Sequence, residues 1–144
     1  LLYRPYFSEI DSFPERSLLR ENFPKLKYLE SNFHKKLMRA KCVIIDAPGT
    51  TIDIALSADI PTILFWNASY WTMEPYLEEI CTKFMELKIL HPNGRSAAKF
   101  LNSISGNITS WWQSKAVVEV KGCAPSSSGN SGSGTLLIDC EDGE

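Results

Sequence analysis

The sequence is short of several features, and each shortage removes a class of function. No apolar run approaches the roughly 20 residues that a membrane-spanning helix needs. The longest, Ile60 to Trp66, is interrupted by Pro61 and Thr62. Basic excess is missing: 15 Lys and Arg stand against 17 Asp and Glu, a formal net charge of −2, which offers no footprint for nucleic acid. Four cysteines are present, Cys42, Cys81, Cys123 and Cys140, and none falls in a CxxC or a zinc-type Cys/His spacing. Cys42, opening an apolar run, and Cys81, in a helical stretch, read as small buried hydrophobes of a reducing compartment, so a cytoplasmic setting is expected. Only two histidines occur. His34 stands beside Lys35 and Lys36 on what reads as a solvated helix face, and His91 precedes Pro92 in a turn, where a structural role fits. No Ser/His/Asp set, paired carboxylates or metal-ligand cluster stands out, and the GxxxxGK[ST] phosphate loop is absent. An initiator Met and a leader-type apolar segment are also lacking. Leu1 to Arg4 reads as a strand end whose beginning lies upstream, so the chain is expected to be a fragment.

What is present is an ordinary globular composition, 44% hydrophobic and 22% charged over 144 residues, enough for one domain with a core. The pattern alternates. After the strand at Leu1 to Arg4, a helix is predicted from Phe13-Pro14 to about Asn22, capped by Ser12. A short edge strand is expected over Leu26 to Leu29 and a helix over Asn32 to Ala40, capped by Ser31. Cys42 to Ile45 is a continuous β-branched run, as expected when both faces of a sheet are covered. A helix over Thr51 to Ala58, a strand over Thr62 to Phe65, a long helix over Met73 to Leu87 and a short strand at Ile89-Leu90 follow. Two helices, Ser96 to Ile104 and Ile108 to Val118, complete the series, with Trp111 and Trp112 packing the last onto the domain. Strands alternating with helices on short links predict an α/β, Rossmann-like, doubly wound parallel sheet over residues 1–120. From 121 to 144 the composition turns Gly/Ser-rich, and a disordered tail is expected: a linker, an appended remnant or a frame error, within which Thr135 to Cys140 could pair as a stray strand that nothing in the pattern fixes.

In such sheets ligands bind beyond the C-terminal strand ends, which selects three loops: Arg4 to Phe7, Asp46 to Thr51, and Trp66 to Tyr70. Asp46-Ala47-Pro48-Gly49-Thr50-Thr51 joins a strand end, a glycine and two hydroxyls to a helix N-terminus. That combination favours an anion such as phosphate, although Thr50 or Thr51 capping its own helix would produce the same pattern. Asp53, in the first helical turn, either accepts from a sugar or ribose hydroxyl or simply complements the helix dipole. Arg4 is a candidate bidentate partner for a diphosphate, or a solvated arginine. Trp66 and Asn67 would supply a stacking wall and a hydrogen-bonding amide, or a tryptophan packed at the domain edge.

The stretch DAPGTTIDIALSADIPTILFWN, Asp46 to Asn67, resembles the donor-side segment of glycosyltransferases of GT-B architecture. Their recurrent form is a strand, a small/hydroxyl turn, an acidic residue in a short helix, then Ala-Leu, Pro-Thr and a strand. More narrowly it is similar to a family of bacterial surface-carbohydrate transferases, in which Phe65-Trp66, a following helix, Ile89-Leu90-His91, Ala97-Ala98 and Trp111-Trp112 have counterparts. The resemblance covers about residues 1 to 120. It implies half of a GT-B enzyme, binding a nucleotide sugar through Arg4, Asp46, Gly49, Thr50, Thr51, Asp53, Trp66 and Asn67. An N-terminal domain of the same full-length chain would hold the acceptor and its base, and neither a cofactor nor a metal is called for. Peripheral membrane contact stays open. The family usually carries Glu where this chain has Asp53, one methylene shorter. Two alternatives stand beside it: a sugar-nucleotide 2-epimerase of the same fold, whose acid/base carboxylates are not placed, and a non-catalytic α/β binding domain.

Overall fold

The two apolar runs read as central strands lie side by side in the interior of the sheet. Ala40–Ile45 (β3) pairs in parallel with Thr62–Phe65 (β4), with Ile44 opposite Ile63 and Ile45 opposite Leu64. The computed structural model describes residues 1–4, 15–29, 31–70, 75–122 and 135–139. Within them, Leu2–Arg4 (β1) pairs in parallel with the edge strand Lys27–Tyr28 (β2), and Leu90–His91 (β5) closes the other edge beside β4. Helices Glu15–Asn22 (α1), Phe33–Leu37 (α2), Thr50–Ser57 (α3), Pro75–Glu86 (α4) and Gly94–Ile104 (α5) follow these five strands in turn. Ile108–Trp112 (α6) and Lys115–Lys121 (α7) come next, then a last strand, Thr135–Asp139 (β6).

The sheet order is β2-β1-β6-β3-β4-β5. Five strands run parallel and β6 runs antiparallel between β1 and β3, so the sheet is mixed rather than wholly parallel. Within the expected tail, the stretch that could pair as a stray strand does so, between β1 and β3. Averaged over 121–144 the composition is polar, but it conceals a five-residue strand in which Leu137 and Ile138 serve opposite faces of the sheet. Leu137 joins the core cluster of Val43, Ile45 and Leu64, while Ile138 packs on the opposite cluster with Cys42 and Ile63. The inner edges of β1 and β3 give β6 a ladder on each side. Residues 123–134 and 140–144 lie outside the described set.

Alternation along β3 and β4 divides the core. Val43, Ile45, Leu64 and Trp66 point into a layer closed by α2, α3, α4 and α7, whereas Cys42, Ile44, Ile63 and Phe65 meet α5 and α6. Helices on both faces explain why these strands are apolar throughout. Local chemistry sets several ends. The Asn93 side chain accepts from the Ser96 amide at 2.9 Å and starts α5. Asn32, not Ser31, occupies the N-cap of α2, in the left-handed conformation with φ 58°. The expected cap Ser12 lies outside the described residues.

Candidate functional site

β3 ends at Ile45, and residues 46–49 bend into α3. The position before the helix is Gly49, buried and extended, with no side chain to cap the first turn. Thr50 and Thr51 therefore lie inside the helix rather than at its cap. The alternative in which a threonine side chain caps α3 from the N-cap position is not the arrangement found. In the first turn the Ile52 amide donates to the Gly49 carbonyl at 3.0 Å; the amides ahead of it have no acceptor within the helix by position, and they sit at the C-terminal rim of the sheet with a positive dipole end. Thr51 is buried, at 8% exposure, and Thr50 is exposed. Asp53 is half-buried in the first turn, an acidic group where the dipole favours one.

The register extends the site sideways. Ile45 pairs with Leu64, so the turn after β3 and Trp66, two residues past Leu64, are neighbours at one rim. Trp66 also lies on the face that α3 covers. At 8% exposure its ring belongs to the core, which leaves little of it open as a stacking wall. Its indole Nε1 is buried with no hydrogen-bond partner among the described residues. Asn67 is exposed, and its Oδ1 accepts from the Ser69 amide at 3.1 Å and the Ser69 hydroxyl at 2.7 Å. The carbonyl oxygen of that amide is thus spent on shaping its own loop.

Arg4 stands apart from this group. Thr135 of β6 lies between Arg4 and Ile45 in the ladder, which separates the two backbones by about 10 Å, two strand spacings. The guanidinium stacks over the Phe33 ring, 4.0 Å from its centroid, a cation–π contact. Asp46, exposed at the end of β3, shares the rim with Gly49 and Thr51. The structure thus brings together Asp46, Gly49, Thr50, Thr51, Asp53 and Trp66, with Asn67 beside them, and sets Arg4 on the far side of β6. Residues 5–7 of the first rim loop fall outside the described set.

One polar constellation escaped the sequence reading. Asp59, at φ 53° in the turn before β4, is gripped from the C-terminal helices. Trp112 Nε1 donates to its backbone oxygen at 3.0 Å and to Oδ1 at 2.9 Å, and Gln113 Nε2 donates to Oδ2 at 2.9 Å. Lys121 Nζ donates to Oδ1 and lies 4.2 Å from the Trp112 ring centroid. The Lys121 hydrogen bond, followed by that of Gln113, holds the Asp59 carboxyl below its usual range. This cluster is at the N-terminal ends of the strands, opposite the α3 rim, and its contacts are those of a clamp. Only the lone polar residue after a helix, 53 positions from its partner, marked it in sequence.

Burial pushes the Cys42 thiol up to about 12, and Cys81 is also raised, by burial and then by Glu78, so neither is a poised nucleophile. Among the described residues no His, Cys, Asp and Glu side chains gather in threes as a metal site, and no helix is long and apolar enough to cross a membrane.

A family profile described as LIC12162 family transferase matches residues 1–122. No curated protein and no solved structure matches.

Proposed function

Starting from the premise that the chain belongs to the LIC12162 transferase family, we propose that it is the donor-binding half of a glycosyltransferase. The transferred group would be a sugar carried on a nucleoside diphosphate, and the acceptor a surface carbohydrate. The observation that carries the reading is the α3 N-terminus. Its first turn faces the C-terminal rim of the sheet behind a glycine N-cap, with Thr51 buried next to it. Charge builds on a diphosphate leaving group as the glycosidic bond breaks. Fixed amide donors in a partly dry site stabilise that charge without reorganising, which lowers the barrier. Thr50 and Thr51 would add hydroxyl donors, and Asp53 would accept from a hydroxyl of the ribose or the sugar. Arg4, across β6, would contribute only if its guanidinium left Phe33. The acceptor and its activating base would belong to a second Rossmann-like domain of the full-length chain, so this chain alone is expected to bind donor without turnover. The family's description as a transferase favours this reading over an epimerase or a binding module.

Calorimetric titration with UDP, GDP and CMP checks it. One nucleoside diphosphate should bind saturably, and its nucleoside should bind far more weakly. Thr51→Val, close in shape but lacking the hydroxyl, should weaken binding about tenfold, the worth of one hydrogen bond to a charged group. Equal affinity for nucleoside and nucleoside diphosphate would show that the diphosphate is not what the chain holds.

A further inference from the structure

Trp66 presents an unexplained feature. Its side chain is more than nine-tenths buried, and its indole N–H has no partner among the described residues. Trp111 and Trp112 show the ordinary outcome, donating to the Leu87 carbonyl at 3.1 Å and to Asp59. Buried polar groups in native proteins nearly always find a partner, and one left without carries the full cost of its desolvation. A phenylalanine would fill an apolar site without that cost. The feature is also local. Trp66 is the residue directly after β4, at the rim where the turn 46–49 meets α3, and it lies on the same face of the sheet as α3.

We propose that the Trp66 indole N–H is a hydrogen-bond donor for a phosphate oxygen of the bound nucleoside diphosphate. The inference rests on the donor-site reading above and adds a specificity residue to it. A neutral donor suits the position, because an ammonium or guanidinium left dry and unpaired between substrates would cost far more. Phosphate suits the donor, because the α3 N-terminus at the same rim already favours anionic oxygen. The N–H is covered in the ligand-free chain, so the proposal requires the indole to be uncovered on binding. The indole then gains the partner it lacks, and that gain accrues only to the liganded state.

The test is the indole ¹H–¹⁵N resonance of Trp66, assigned by its disappearance in Trp66→Phe. Titration with the nucleoside diphosphate that binds by calorimetry should move it downfield along the same isotherm. Inorganic pyrophosphate should move it in the same direction, and the nucleoside alone should leave it in place. Trp66→Phe should bind the diphosphate about tenfold more weakly. Its ligand-free thermal unfolding should stay cooperative, which separates lost binding from lost fold. An unmoved resonance at saturation, or a shift with the nucleoside but not with pyrophosphate, overturns the assignment. If the diphosphate binds and Thr51→Val weakens it while the resonance stands still, the indole inference alone fails. If no nucleotide and no pyrophosphate binds, the donor-site reading fails and takes this inference with it.

Discussion

His91 has both ring nitrogens engaged: Nε2 lies 3.0 Å from the Lys88 carbonyl and Nδ1 3.0 Å from the Ser96 hydroxyl. A carbonyl only accepts, so Nε2 carries the proton and Nδ1 accepts from Ser96. The ring is 2% exposed and leans on Phe100, centroids 5.3 Å apart. Burial therefore lowers its pKa from the ordinary 6.5. The neutral ring is the form the fold prefers, so the unfolded chain binds the proton more readily. The stability this contributes is complete above pH about 6.5 and is lost as pH falls through the lowered folded value. Urea midpoints measured from pH 8 to pH 5 should decline in the native chain, and the decline should be shallower in His91→Gln, which cannot titrate. An equal slope in both would place the acid sensitivity elsewhere. The structural role of His91 was legible from its place before Pro92, although the residue ends β5 rather than lying in the turn. The burial of Trp66 was not, because a tryptophan at a strand end reads equally as an open wall or as core, and only the packing of α2, α3, α4 and α7 decides.

At the scale of elements, local pattern carried most of the information. β4 begins and ends where the Thr62 to Phe65 run predicts, and β3 is the Cys42 to Ile45 run extended to Ala40. The turn and helix after β3 fall at the expected rim, because a strand, a glycine turn and a helix start are set by local sequence. The expected single helix over Ile108 to Val118 is instead two, α6 and α7, with a break at residues 113 and 114. No glycine or proline marks the break. Its cause is tertiary: Trp112, Gln113 and Lys121 converge on Asp59, and a straight helix could not deliver all three. Asp59→Ala should cost about 1–2 kcal/mol, since two side-chain donors lose their acceptor while Trp112 keeps the backbone oxygen. Asp59→Gly should cost less than Asp59→Ala, because glycine accepts φ 53° without a Cβ penalty. Urea denaturation of the three proteins orders them, and a variant as stable as the native chain would show that the clamp adds nothing.

At the scale of the whole molecule, β6 is the feature that pattern reading could not place, because a strand's position in a sheet depends on which edges await a partner. Without β6 the remaining order is β2-β1-β3-β4-β5, a doubly wound arrangement whose winding reverses between β1 and β3. Such a reversal is where ligands settle in open α/β sheets, and β6 enters from that rim, with Thr135 alongside Arg4 and Ile45. The family match covers residues 1–122 and so takes in β1 to β5 and α1 to α7 but not β6. The five parallel strands should therefore be a self-sufficient sheet. Shortened to residues 1–122, the chain should still unfold cooperatively, with β1 moving one strand spacing, about 4.8 Å, to pair directly with β3. Backbone proton contacts between Leu2 or Tyr3 and Val43 or Ile44 would report that pairing. The same closure would bring Arg4 to the strand next to the Asp46–Thr51 turn, within reach of a diphosphate held at α3. The shortened chain should then bind the nucleoside diphosphate more tightly than the full one, and Arg4→Gln should remove the difference. A shortened chain that is unfolded by circular dichroism would instead make β6 an integral strand and leave Arg4 committed to Phe33.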